Sequence, residues 1–431
     1  MLLYRLLSVC ALLVYSPYAL ARSWAGRRRL GDLRGRLGKR PYPDLDGGIW
    51  LHAVSVGEVI AAQSLVDALS RRAPRGRVGL SVTTAAGRRL AEGAFADSVP
   101  VFSFPLDLLR PVEAALSAVR PGLVLLVETE LWPLFLERAR ARGVPVALVN
   151  GRISERSFPR YRLVRRFFRR VLEKVSLFAM QTKEDAERIV LLGAPPERVR
   201  VTGNIKYDQP AAPPFADAAR LRQAAAGRPV LLAASTAERE EEIVLEAWSG
   251  LDPRPLLAIA PRRPERFAEV ARLIERSGFT FLCRSSSKNE FRPPNSAIRN
   301  PDIYLLDTIG ELASLYREAR LAFVGGSLVA SGGHNPIEAW AEGVPVVVGP
   351  HTQNFRDVCQ VGERLGLLRR VHDASELRLE LTARFADTDA TAAAGRLARK
   401  FVAENRGASA ATADLVLPLW EPAVSRQART P

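Results

Sequence analysis

From Gly48 to Gly203 the hydrophobic positions gather into short β-branched runs, each followed by a turn and an amphipathic stretch. The runs are IWLHAV (from Ile49), VGLSVTT (from Val78), VPVFSF (from Val99), LVLLV (from Leu123), VPVALVN (from Val144) and LFAMQT (from Leu177). Helical periodicity fills the intervals, as over 59–69 and 133–142. Such alternation predicts parallel strands joined by crossover helices. The stretch DQPAAPPFADAA after Tyr207 is rich in Pro and Ala and breaks the rhythm, as a linker does. The pattern then resumes with VLLAAS (from Val230), PLLAIA (from Pro255), FTFLC (from Phe279), IYLLD (from Ile303), LAFVGG (from Leu321) and VPVVVG (from Val344). Two Rossmann-like α/β domains in series are therefore expected, over 48–206 and 229–405, with a linker at 207–228. A helical tail over 374–419 is placed to reach back across both halves, its last part forming a C-terminal helix within 406–431.

The N-terminus departs from this rhythm. Residues 6–21 are almost wholly apolar, with one Arg before them and eight basic residues against one acid, Asp32, between Arg22 and Arg40. Positive flanks stay cytoplasmic, which predicts an uncleaved anchor over 1–21 and a basic juxtamembrane segment over 22–47. The bulk of the chain would then lie on the cytoplasmic side of the membrane. A cleaved signal peptide, suggested by Ala19-Leu20-Ala21, and a plain buried helix are the competing readings. The net charge of +16 over 431 residues favours anionic partners such as phosphates or lipid headgroups. A second basic cluster runs from Arg152 to Lys174. Its aromatics, Phe158, Tyr161, Phe167 and Phe168, recur at near-helical spacing and fit core packing better than base stacking, so nucleic acid is not expected as a partner. Three scattered cysteines and four histidines argue against a disulfide framework or a metal cage.

Ligands of open parallel sheets bind beyond the carboxyl ends of the strands, so the residues after each run matter most. They are Ser55-Val56-Gly57-Glu58, Glu128-Thr129-Glu130, Asn150-Gly151-Arg152 and Ile205-Lys206-Tyr207-Asp208 in the first half. In the second they are Pro261-Arg262-Arg263, Thr308-Ile309-Gly310-Glu311 and the stretch GGSLVASGGHNPIEAW from Gly325. Glu58, in the first helical turn beside a glycine, is a candidate general base as well as an ordinary helix-start acid. Glu128 ends an apolar strand, and Lys206 could donate to charge developing on a leaving phosphate. In the glycine-rich stretch, Gly325, Gly326, Gly332 and Gly333 are expected to leave room for a nucleotide. Asn335-Pro336 would open a helix whose N–H groups meet phosphate, and Glu338 would accept from ribose hydroxyls. Asp387-Thr388-Asp389 imitates a metal-binding dyad but lacks a preceding strand.

Taken in order, LHAVSVGE, VETELWP, GRISERS, TGNIKYD, PRRPERF, DTIGELASLY, GGSLVASGGHNPIE and GPHTQNF span the chain from Ile49 to Asp357. Together they make the sequence similar to the bacterial 3-deoxy-D-manno-octulosonic acid (Kdo) transferases of lipopolysaccharide synthesis. That resemblance implies a GT-B fold, two Rossmann-like domains facing across a cleft, with an acceptor domain first and a nucleotide domain second. It implies an inverting glycosyltransferase that uses CMP-Kdo as donor, a phosphorylated lipid A precursor (lipid IVA) as acceptor, and no cofactor. The family's proton acceptor falls on Glu58, and its transition-state stabilising pair falls on Glu128 and Lys206. CMP contacts fall on Pro261 and Arg262, on Ile309, Gly310 and Glu311, and on Asn335, Pro336, Ile337 and Glu338. The chain departs from the family at Arg263, where His is commoner, at Gly151, and at Ala237-Glu238-Arg239, where Arg-Glu-Gly is commoner. The alternatives are another twin-Rossmann enzyme, such as a UDP-sugar transferase or epimerase, and a non-enzymatic binder of anionic surfaces.

Overall fold

Buried on both faces, the β-branched runs have only one economical partner, each other, and they pair side by side in parallel. The computed structural model describes residues 32–72, 78–95, 98–155, 157–208, 212–288 and 300–427. Among them are two seven-stranded, wholly parallel sheets. The first comprises β1 (Ile49–Ala53), β2 (Val78–Val82), β3 (Val101–Ser103), β4 (Leu123–Val127), β5 (Val146–Gly151), β6 (Leu177–Met180) and β7 (Val199–Val201), in the order β3-β2-β1-β4-β5-β6-β7. The second comprises β8 (Val230–Thr236), β9 (Leu256–Pro261), β10 (Phe281–Cys283), β11 (Ile303–Leu305), β12 (Leu321–Val324), β13 (Val346–Val348) and β14 (Leu368–Arg370), in the order β10-β11-β9-β8-β12-β13-β14. Two Rossmann-like α/β domains are thus present. In the second sheet β11 is inserted between β10 and β9. The winding direction changes between β1 and β4 in the first sheet and between β8 and β12 in the second. Those are the switch points where such folds bind ligands.

The period of two in each strand divides the cores. In β1, Ile49, Leu51 and Ala53 enter one hydrophobic cluster with Val59, Leu65 and Leu69 of the helix Val56–Arg72. Trp50, between them, enters the other with Phe104, Phe135 and Leu136, and its indole donates to Ser81 Oγ at 2.7 Å. The second sheet does the same: Leu231 and Ala233 pack with Val244 and Trp248 of the helix Glu240–Ser249.

The chain divides into two compact units, 1–208 together with 405–431, and 209–404. The helices Ala374–Ala386 and Thr388–Glu404 therefore belong to the second unit, and only the last helix, Ala408–Gln427, belongs to the first. Ala413 and Val416 of that last helix lie in the core of the first sheet. Asp208 fixes its start, accepting from Gly407 N at 2.6 Å and Ser409 N at 2.5 Å. The segment expected as a linker holds a helix, Ala218–Ala225, whose Leu221 is fully buried and which groups with the second unit. The anchor expected over 1–21 lies outside the described residues. Among those described, no helix is long and apolar enough to cross a membrane.

Candidate active site

In the first unit the three acid–base candidates come from different strand ends. Glu58 sits in the first turn after β1 and is buried, 7% exposed. Its carboxylate accepts from Val54 N at 2.7 Å and from Ser55 Oγ at 2.8 Å, a reciprocal arrangement related to the capping box. Glu128 follows β4 with φ of 61°, a left-handed backbone that costs a non-glycine residue about 1–2 kcal/mol. Lys206 lies in a 3₁₀ turn, Ile205–Tyr207, beyond β7, and its Nζ donates to Glu128 Oε1 at 2.7 Å. Both partners are largely shielded, at 14% and 23% exposure, so the pair is stronger than a surface ion pair.

Burial pushes the Glu58 carboxyl up to about 7, with the negative charge of Glu128 adding to the push and that of Glu130 adding less. The bonds from Val54 and Ser55 oppose it without cancelling it. Burial likewise raises Glu130, against the pull of the Arg36 guanidinium. A carboxyl titrating near neutrality beside a fixed ion pair can take a proton from a hydroxyl at physiological pH.

Asn150 is the positioning residue that the sequence marks only as part of a polar rim. It is fully buried at the end of β5, with φ of 53°, and its Oδ1 accepts from Ile205 N at 3.1 Å. It thereby pins the turn that carries Lys206. The only local signal is an Asn, a residue that tolerates left-handed backbone, at the end of an apolar run.

In the second unit the expected nucleotide residues also lie past strand ends, after β9, β11 and β12. Pro261 closes β9 and is buried, while Arg262 is exposed and its N–H donates to Thr236 O at 3.0 Å. Arg262 stands close enough to His334 and Glu338 to act on both electrostatically. Burial, reinforced by Arg262, lowers His334 to about 4, so its imidazole is neutral at pH 7. Burial raises Glu338, opposed by the hydrogen bond from Asn335 Nδ2 (3.2 Å) and by Arg262. His334 was not among the expected contacts, and a lone His in a glycine-rich loop carries no periodic signal. Glu311 is held from behind: Arg284, nearly buried, donates to it at 2.8 Å, and the Thr308 hydroxyl bonds its other oxygen. Outward, that loop presents the Gly310 backbone and Ile309, which is 78% exposed.

Two expectations need correction. The helix after Asn335-Pro336 is only Ile337–Ala341, and Pro336 is its cap and not its first residue. Its Ile337 N–H is taken by Asn335 Oδ1 at 3.0 Å, so this end cannot offer that donor to phosphate. Nor is a nucleotide needed to explain the four glycines. A Cβ on Gly325 would stand 2.7 Å from both Glu240 Oε2 and Ser235 O, and Gly326, Gly332 and Gly333 have φ of 66°, 93° and 76°. The protein's own backbone requires them.

The group that crowds Gly325 is the organiser of this loop. Glu240 is fully buried, and its carboxylate accepts from Ala237 N (2.8 Å), Gly326 N (2.6 Å), Ser327 N (2.9 Å) and Leu328 N (2.8 Å). It ties the end of β8 to the end of β12 across the switch point. Among the described residues no group of three His, Cys, Asp or Glu is arranged to hold a metal ion.

A family model described as 3-Deoxy-D-manno-octulosonic-acid transferase (kdotransferase) matches residues 26–209. Over 402 residues the chain is 36% identical to the 3-deoxy-D-manno-octulosonic acid transferase of Haemophilus influenzae, covering 92% of each chain. The chain belongs to the Kdo transferase family. The Kdo transferase of Bordetella pertussis is 36% identical over 394 residues, which cover 88% of this chain and 89% of that one. Among solved structures, the UDP complex of Anabaena HepE superposes with a TM-score of 0.52 at 15% identity, covering 86% of this chain and 99% of that one, a likeness of fold alone. As a Kdo transferase family member the protein is a glycosyltransferase, and the convergence of Glu58, Glu128 and Lys206 in its first unit acquires a chemical context.

Proposed function

We propose that this glycosyltransferase moves Kdo from CMP-Kdo to a hydroxyl of a phosphorylated lipid A precursor, lipid IVA, in lipopolysaccharide core synthesis, with inversion at the anomeric carbon. The first unit supplies the acceptor chemistry and the second holds CMP, the division of labour of a GT-B enzyme. The acceptor's primary hydroxyl loses its proton to Glu58 as its oxygen bonds the anomeric carbon. The bond from that carbon to the phosphate oxygen breaks, and CMP leaves with the electron pair. Lys206, held by Glu128, meets the developing negative charge. CMP carries one phosphate, so the need for a divalent ion to neutralise a leaving diphosphate does not arise. Arg262, Glu338 and the loops around Gly310 and Asn335 are the proposed nucleotide contacts.

The observation that carries this reading is the buried Glu58 carboxyl, raised to about 7 beside the Glu128–Lys206 pair. The apolar run over 6–21 and the arginines after it support an inner-membrane anchor with the catalytic units on the cytoplasmic side. Polybasic attraction of about 1 kcal/mol per residue near an anionic leaflet would also draw in the acceptor's phosphates. Purified protein incubated with CMP-Kdo and lipid IVA, with products weighed, tests the reaction. Glu58→Gln is expected to lower kcat by about 10³-fold, within the range of general-base losses, while CMP still raises the melting temperature as in the unaltered chain. Normal turnover in that variant reassigns the base, and stabilisation by UDP but not CMP overturns the donor.

A further inference from the structure

The second unit has a hollow of about 580 Å³ that belongs to neither the donor residues nor the sheet's carboxyl edge. Val230, which opens β8, and Arg320, the residue before β12, both line it, placing it at the amino ends of the strands. Seven residues of β8 separate that edge from the loop after Thr236, a span of roughly 20 Å at strand rise. Its size falls in the range of small-molecule sites.

Five arginines line it, Arg222, Arg228, Arg320, Arg396 and Arg399, with one acid, Glu318. Arg222 takes up both Glu318 oxygens, at 2.9 and 2.8 Å. Arg228 donates to the carbonyls of Ala224, Ala225 and Pro301, and Arg399 donates to the Glu342 carbonyl. The Glu318 carboxylate offsets the charge of Arg222, whereas the carbonyls orient Arg228 and Arg399 without neutralising them. The side chains of Arg320 and Arg396 make no hydrogen bond or ion pair among the described residues. The wall that carries Arg396 and Arg399 is set by close packing. A Cβ on Gly395 would stand 2.1 Å from Gly343 O, so the helix Thr388–Glu404 lies directly against the loop before β13. Like charges gathered around a concavity are costly unless an anion joins them, and guanidinium forks match phosphate oxygens in pairs.

We propose that this arginine-lined hollow is a second ligand site, for an anion carrying two or more phosphate groups, separate from the nucleotide donor. Five arginines around one hollow are more than one phosphate needs, and Leu221, Pro229 and Val230 give an apolar flank for the ligand's body. The phosphates could belong to a soluble metabolite or to a lipid headgroup. The site does not depend on the reaction assigned above.

Calorimetric titration of the full chain with inorganic diphosphate, CMP held at saturation, tests it. One saturable event is expected in the unaltered protein. Arg320→Ala/Arg396→Ala should weaken it roughly tenfold or more while leaving CMP affinity and melting temperature unchanged. A parallel arm measures sedimentation with phosphatidylcholine vesicles containing about one-third cardiolipin, whose headgroup carries two phosphates. Vesicle binding that falls in the double variant, with no diphosphate binding, assigns the site to a lipid headgroup, whereas diphosphate binding assigns it to a soluble ligand. The proposal is overturned by diphosphate competing with CMP, by equal binding in both proteins in both arms, or by no binding in either arm.

Discussion

Glu58 in the first unit and Glu240 in the second are held in opposite ways. In the first, Glu58 and Glu130 are set near another acid and an ion pair, and burial raises both. In the second, Glu240 is more deeply buried than either, yet it is ringed by four backbone N–H groups. A carboxylate that faces backbone donors is satisfied and does structural work. One that faces other side-chain charges is left poised to exchange a proton. Burial alone does not distinguish them; the partners do.

The contrast breaks most visibly at Glu240. Glu240→Gln keeps the shape and replaces one acceptor oxygen by an NH₂ group directed at donors. Leaving buried N–H groups unsatisfied costs about 1–3 kcal/mol each, so a loss of about 3–5 kcal/mol is expected, read as a lower denaturation midpoint together with lost CMP binding. An unchanged midpoint would mean that the loop after β12 does not depend on this carboxylate.

Lys206→Ala should do the reverse. Its ion pair is largely shielded yet still reaches solvent, so stability should fall by less than for Glu240→Gln, by about 1–2 kcal/mol. The rate should fall about 10²-fold if the ammonium meets charge that develops only in the transition state, with KM little altered. A variant that loses stability and keeps its rate would move Lys206 into the structural class with Glu240.

The same distinction explains what can be read from the residues alone. Glu58 and Glu128 each follow an apolar run, and strand ends are where parallel sheets display chemistry, so the linear pattern exposes them, while a Gly-Asn turn marks Lys206. Glu240 hides in Ala237-Glu238-Arg239-Glu240-Glu241-Glu242, a run of charge that resembles a solvated helix face. Its burial is set by the glycine at Gly325, 85 residues further on, and no local period reports that. The strands missed, β7 and β14, are three-residue edge strands reading VRV and LRR, too short and too charged to stand out as apolar runs. Twelve runs mark twelve of the strands because those strands sit inside or beside the cores, where near-continuous apolar character is required. The glycines stand out in the sequence but their cause does not, since positive φ and close backbone approach leave the same mark as an approaching ligand.

The finest separation lies in pH dependence. Glu58 acts as a base only when ionised, so kcat/KM should rise with pH through about 7, the value to which burial and Glu128 push it. For stability the sign is opposite: a carboxyl raised in the folded state favours folding below its unfolded pKa, and that contribution is lost as pH rises toward 7. Raising the pH should therefore increase activity while slightly lowering stability. Glu128→Gln removes the larger of the two nearby negative charges and should move the activity limb down by about one unit, equivalent to ~1.4 kcal/mol. Glu130→Gln, acting through the weaker interaction, should move it in the same direction by less. The residual rate of each variant across pH 5–9 is the measurement. A limb that stays fixed in Glu128→Gln would show that Glu58 does not sense the acid beside it. The proton would then have to be taken by another group.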